Sequence, residues 1–135
     1  MKRPPWLRRD LTTCAYYYCL RLSEKEFWEE LHRLKVPCGL WPRFVKGERS
    51  NATTHFLENA GEYGGLCAIV TLRDAAKHDG IQIASLLVHE AVHIWQAHSR
   101  IIGSFNDHGD EEEAYAIQAI SQELLYSYKE QIYGK

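Results

Sequence analysis

The sequence has little excess charge of either sign. It carries 16 Lys and Arg residues against 18 Asp and Glu residues, which gives a formal net charge of −2 over 135 residues. That balance argues against a general nucleic-acid binder, because such proteins normally present a strongly basic surface. Basic residues do cluster near the N-terminus, where a solvated terminus is the simpler interpretation than a phosphate contact; they are Lys2, Arg3, Arg8 and Arg9.

Long apolar runs are lacking too. No stretch approaches the roughly 20 apolar residues that a membrane-spanning helix needs. The basic N-terminus is not followed by the apolar core and the small-residue cleavage site of a signal peptide. We therefore expect a cytoplasmic protein with no membrane partner. The sequence contains no internal repeat or low-complexity segment, and its length is typical of a single domain over residues 1–135.

Cysteine is sparse and its spacing carries little information. Cys14, Cys19, Cys38 and Cys67 contain no Cys-x-x-Cys pair, which makes a separate cysteine zinc site a weak hypothesis. Two disulfides are possible by number, but a chain without an export signal is expected to keep its thiols reduced.

One motif stands out from this background. Residues 89–93 read His-Glu-Ala-Val-His and lie within an apolar run from Ile81 to Ala97. On a helix, His89 and His93 point the same way, because four steps of about 100° nearly complete a turn. The two imidazoles can therefore bind one metal ion, and Glu90, one step further round, can reach a water on that ion.

The residues around the motif strengthen this hypothesis. Apart from the motif itself, the run from Ile81 to Ala97 has no charged residue, so we expect the helix to be largely buried. Buried ionisable groups are costly unless they are paired or metal-bound. The alternative is a core helix with satisfied histidines.

The rest of the chain predicts a small α+β fold. We expect about three strands packed on the motif helix and on a C-terminal helix that carries Glu113. The predicted strands are residues 14–22, 51–58 and 66–72. The predicted helices begin at Ser23, near Ile81 and at Asp110. The first of them starts with a capping box formed by Ser23 and Glu26.

A zinc hydrolase needs three protein ligands and one open position, so a third ligand must be found. His98 lies about 140° round the helix from His93 and is discarded. Glu113 heads an apolar stripe on the last helix that continues through Ile117. It is the favoured candidate, although a carboxylate three residues after Asp110 also fits an N-terminal cap.

The arrangement of His89, Glu90, His93 and Glu113 resembles the gluzincin metallopeptidases, and the layout is similar to that of small phage and prophage zincin-like proteins. The resemblance implies that Zn²⁺ is bound by the two histidines and Glu113, with Glu90 as general base. Its motif covers residues 86 to 120. One departure is Ile117, where gluzincins often have an Asp that supports a zinc-bound histidine.

The same resemblance implies a protein or peptide substrate. Three residues are candidates to stabilise the transition state: Tyr63, His55 and Tyr115. An ordinary strand histidine is the favoured interpretation of His55. The substrate would pair as an extended strand with a sheet edge. The predicted edge is the 66–72 strand, with the contacts at Ala68, Ile69 and Val70.

Two alternatives remain open. His108, in the connection after the motif helix, resembles the third ligand of SprT-like metalloproteases, a class that acts near DNA. The near-neutral charge argues against that assignment. The other alternative is a zincin-like binding or regulatory module without peptidase activity, which the short chain favours.

Overall fold

A mixed three-stranded sheet forms the centre of the structure, a computed structural model that describes residues 3–7, 14–60, 65–102 and 110–134. The strands are β1 (Tyr17–Arg21), β2 (Ala52–Ala60) and β3 (Gly65–Leu72). Their order is β1-β3-β2, with β1 parallel and β2 antiparallel to β3. β3 is therefore paired on both sides, and β1 and β2 are the outer strands.

The register of the sheet decides which side chains share a face. Val70 lies between Leu20 of β1 and Thr54 of β2, so these three side chains project from one face. Ile69 and its partners project from the other, because neighbouring residues in a strand point to opposite faces. The side chains of Thr54 and His55 therefore lie on opposite faces of the sheet.

Three helices complete the fold: α1 (Glu24–Arg33), α2 (Gly80–Ile102) and α3 (Asp110–Tyr133). The Oγ of Ser23 accepts a hydrogen bond from the Glu26 amide at 3.2 Å and donates one to the Glu26 carboxylate at 3.0 Å. This confirms the predicted capping box. α2 contains the motif and extends a few residues beyond His98, the expected end.

The two faces of the sheet are covered by different helices. α1 covers the Ile69 face with Phe27 and Leu31. The Val70 face is covered by buried residues of α2 and α3, among them Leu87, Ile94, Ile120 and Leu124. The sheet and α3 lie against different sides of α2, so part of its circumference stays open to solvent.

The observed fold confirms the predicted α+β class with about three strands. No helix in the described parts of the chain has the length and apolar character to cross a membrane.

Candidate metal and catalytic site

The two motif histidines meet on the solvent side of α2. Their Nε2 atoms lie 3.1 Å apart, and their ring centroids are separated by 4.8 Å. Two tetrahedral ligands at about 2.05 Å from one zinc ion would place their nitrogens about 3.3 Å apart. His89 and His93 therefore fit two positions of a zinc site.

Both histidines are exposed, which corrects the expectation that the motif lies in a largely buried helix. The side chain of His89 is 67% exposed, whereas that of Glu90 is only 5% exposed. Val88 and Ile81 are exposed as well. The reason is geometric: the sheet and α3 cover only part of α2, so uncharged residues also face solvent. Burial therefore argues for a role of Glu90 but not of the histidines.

Glu90 is held between β2 and the histidine pair. The Thr54 hydroxyl donates a hydrogen bond to Oε1 of Glu90 at 2.8 Å. The other oxygen, Oε2, lies 4.0 Å from Nε2 of His89. One oxygen is thus anchored to the sheet and the other is directed towards the histidine nitrogens, as a general base next to a metal-bound water requires.

Glu113 has a different partner from the one expected. Its Oε2 accepts a hydrogen bond at 3.0 Å from Nε1 of Trp95. Trp95 follows His93 by two residues, which is about 200° round the helix. The structure therefore places Glu113 against another side of α2 and does not bring it to the histidine pair. Glu113 is also exposed, although it lies at the head of the apolar stripe that was expected to face the core.

No group of three or more His, Cys, Asp or Glu side chains converges on a metal position within the described ranges. Two further candidates, Tyr63 and His108, lie outside those ranges. Tyr115 is 66% exposed on α3, and no hydrogen bond or ring contact joins it to the histidine pair in the part of the chain that the structure describes. His98 is buried and accepts a hydrogen bond from the Ala15 amide at 2.9 Å, consistent with its rejection as a ligand.

His55 lies where the ordinary strand histidine is expected, and the structure does not bring it to Glu90 or the histidine pair. It projects from the Ile69 face, where its ring lies 4.6 Å from that of Phe27. Its Nε2 is 3.0 Å from the Phe44 carbonyl oxygen. Because a carbonyl only accepts, Nε2 carries the proton. The sheet separates this group from Glu90.

We expect His55 to make the fold sensitive to mild acid. Burial lowers the pKa of His55, although the hydrogen bond to Phe44 opposes the shift. The unfolded chain then binds a proton near pH 6.5, the ordinary pKa of histidine, which the folded chain binds only at lower pH. Stability should be full above that pH and fall by up to about 1.4 kcal/mol per unit below it. The test is urea unfolding of the wild type and of His55→Gln at several pH values between neutral and acidic. If the free energy of unfolding of both proteins fell in parallel with pH, the prediction would be contradicted.

The predicted substrate strand is also corrected. β3 is the central strand, and Ala68, Ile69 and Val70 are completely buried. None of them presents a free edge to a peptide. Among the described strands, the outer side of β2 is the free edge nearest the motif, because Thr54 of β2 contacts Glu90.

Thr54 and Trp95 were missed by reasoning from sequence. Thr54 is 36 residues from Glu90 in the chain, and no local pattern links the two positions. In the sequence Trp95 is only one member of an apolar run. The alternation of side chains along a strand predicts that Thr54 and His55 point to opposite faces. It does not predict that β2 lies beside α2, because that depends on pairing between distant segments.

No protein-family model matches this chain, and neither does any curated protein or solved structure with which it was compared. The likeness to zinc peptidases therefore depends on the motif residues and their geometry.

Proposed function

We propose that this chain is a zinc-dependent hydrolase of peptide bonds, with His89 and His93 as metal ligands and Glu90 as general base. The observation that carries the proposal is the 3.1 Å separation of the two Nε2 atoms beside a buried carboxylate. Burying a carboxylate costs free energy. A pair of surface histidines without a shared function would not require one beside them.

Zinc bound there would supply Lewis acidity to the attacking water and the scissile carbonyl. Glu90 accepts the proton from that water and passes it to the leaving amine. Thr54 fixes one oxygen of Glu90 at 2.8 Å, so the other oxygen keeps a constant orientation through both proton transfers. The hydrogen bond from Thr54 also replaces part of the hydration that the carboxylate loses on burial.

We further propose that an extended substrate pairs with the outer edge of β2. Exposed sheet edges bind peptides through main-chain hydrogen bonds. β2 is an outer strand, and its Thr54 contacts the proposed base directly. A peptide added to this edge would therefore lie next to the strand that positions Glu90. This assignment replaces the one to β3.

The third ligand separates two versions of the proposal. The gluzincin version uses Glu113, which in this structure is bound to Trp95. The SprT-like version uses His108. The first version requires the Glu113 carboxylate to move from its position beside Trp95 to the histidine pair, whereas the second requires no movement of Glu113.

Elemental mass spectrometry of the purified protein distinguishes these versions. We expect about one zinc per chain in the wild type and its loss in His89→Ala and in His93→Ala, because each supplies one of only three protein ligands. Loss in Glu113→Ala but not in His108→Ala would establish the first version, and the reverse result the second. His32→Ala is the matched control, since His32 is an exposed histidine on α1.

Wild-type protein that takes up no zinc, even after incubation with it, would contradict the proposal. The described residues offer two nitrogen ligands rather than a complete set, which favours a second candidate: a zincin-like binding module without catalysis. Tightly bound zinc with no cleavage across a broad peptide library would support that module.

A further inference from the structure

An exposed aromatic ring lies on β2, two residues beyond the threonine that holds Glu90. Thr54 pairs with Val70 and Phe56 pairs with Ala68, so both side chains project from the face of the sheet that α2 covers. Phe56 is nevertheless 37% exposed. A single exposed apolar residue is common on protein surfaces, so the significance of this one depends on what holds the ring and what lies beside it.

Phe56 is held in place by a buried tyrosine. Its ring centroid lies 5.3 Å from that of Tyr16, and the two ring planes are inclined at 67°. This edge-to-face arrangement is a favoured geometry for an aromatic pair, and Tyr16 is only 2% exposed. One part of the Phe56 ring therefore rests on the core, while the remainder of its surface faces solvent in a defined orientation.

α2 runs along β2 in the same direction, which places Phe56 on the same side of Glu90 as the second motif histidine. Glu90 contacts β2 at Thr54. Eight residues later in α2, His98 accepts a hydrogen bond from the Ala15 amide, and Ala15 precedes the tyrosine that packs on Phe56. Along the strand Phe56 is about 7 Å beyond Thr54, and the helix rises about 4.5 Å from Glu90 to the second histidine. The exposed ring therefore lies beside the motif, in the direction in which α2 continues.

We propose that Phe56 forms a subsite that selects an aromatic or large aliphatic side chain of the substrate. The inference rests on the proposed function, because it requires an extended peptide paired with the outer edge of β2. In such a pair, the peptide residue opposite Phe56 projects from the same face of the sheet, with its Cβ about 5 Å from that of Phe56. An apolar side chain there covers the exposed part of the ring and removes both surfaces from water. A carboxylate there would lose hydration and gain no hydrogen bond from the ring.

Peptide binding to the cleavage-deficient variant Glu90→Gln tests the proposal without loss of the probe. The probes are two fluorescein-labelled peptides of alternating Thr and Ser, one with a single central Phe and one with Ser at that position. The uniform host lets the Phe side chain find its own register on the strand edge. Fluorescence anisotropy should show that the Phe peptide binds at least about tenfold more tightly, the effect expected from burying one large apolar side chain.

Substitutions at Phe56, each combined with Glu90→Gln, assign the preference to this ring. Phe56→Thr should bind both peptides alike, since threonine suits a strand but lacks the ring. Phe56→Leu keeps an apolar side chain and should retain most of the preference, which separates loss of the subsite from a disturbed strand. Trp28→Ala is the matched control and should leave the preference unchanged, because Trp28 is an aromatic residue of similar exposure, 39%, on α1.

Equal affinity of the two peptides for Glu90→Gln, or no detectable binding of either, would overturn the proposal. So would a preference that survives in Phe56→Thr. The binding measurement needs neither zinc nor cleavage, so its result is separate from that of the metal analysis. A preference in a protein that takes up no zinc would support the subsite and reject the hydrolase. Zinc uptake and cleavage without a preference would reject the subsite alone.

Discussion

Glu90→Gln is expected to lower kcat/KM for peptide hydrolysis by about 10²–10⁴-fold while zinc stays bound. The amide keeps the size of the carboxylate and can still accept the hydrogen bond from Thr54, which is 2.8 Å long in the structure. It cannot accept a proton from the attacking water. The change therefore removes the proposed chemistry and leaves the local packing in place.

The measurement is initial-rate kinetics on a fluorescence-quenched peptide library, paired with metal analysis of the same samples. Glu111→Gln is the control, because it makes an identical change at an exposed residue of α3. Undiminished cleavage by Glu90→Gln would refute the role of Glu90. Loss of zinc together with activity would instead show that Glu90 supports the metal site structurally.

The second large effect is on stability. Glu30→Ala is expected to lower the free energy of unfolding by about 3–5 kcal/mol, the usual result of leaving a buried charge unpaired. Glu30 is 1% exposed and lies 3.3 Å from Nη2 of Arg21, whose side chain is 1% exposed. Glu30 also accepts hydrogen bonds from Arg33 and from Trp6.

Burial by itself would raise the pKa of Glu30, but the hydrogen bond from Arg33 and the charge of Arg21 outweigh it, and the pKa is lower than usual. A carboxyl with a lowered folded pKa stabilises the fold above its unfolded pKa, and this contribution is lost as the pH falls through the folded value. The deficit of Glu30→Ala should therefore be largest near neutral pH.

Urea unfolding of the variant and of Glu29→Ala measures this effect. Glu29 is the exposed neighbour on α1, and its substitution should change stability by no more than about 0.5 kcal/mol. The double variant Arg21→Met with Glu30→Leu should recover most of the loss, because apolar residues can replace a buried ion pair at little cost. Equal stability of the two single alanine variants would show that Arg21 does not depend on Glu30.

Local chemistry explains which parts of this fold could be predicted. The capping box at Ser23 and the apolar periodicity of α2 act over a few residues, so the sequence alone placed α1 and the motif helix. The strands were also found, although β1 begins at Tyr17 rather than at residue 14. Strand order depends on pairing between distant segments, so the sequence pattern does not reveal that β3 is the central strand.

The candidate site divides in the same way. The spacing of His89 and His93 predicted two nitrogens able to share one ion, and the structure brings them to 3.1 Å. The partners of Glu90 and Glu113 depend on how separate elements pack. Thr54 and Trp95 could therefore be found only from the three-dimensional arrangement.

The N-terminal arm, residues 3–7, covers one edge of the sheet. Leu7 forms an antiparallel bridge to Tyr18 on the outer side of β1. The arm is tied down by Trp6, which donates to Glu30 at 2.6 Å, and by the Pro4 carbonyl, which accepts from Arg21 at 3.0 Å. Unpaired strand edges recruit strands from other molecules. Within the described residues only β1 is covered in this way, so strands from other molecules can add at one edge of the sheet, that of β2. Chains without the arm would have two open edges and could add to one another without limit, as in a fibre.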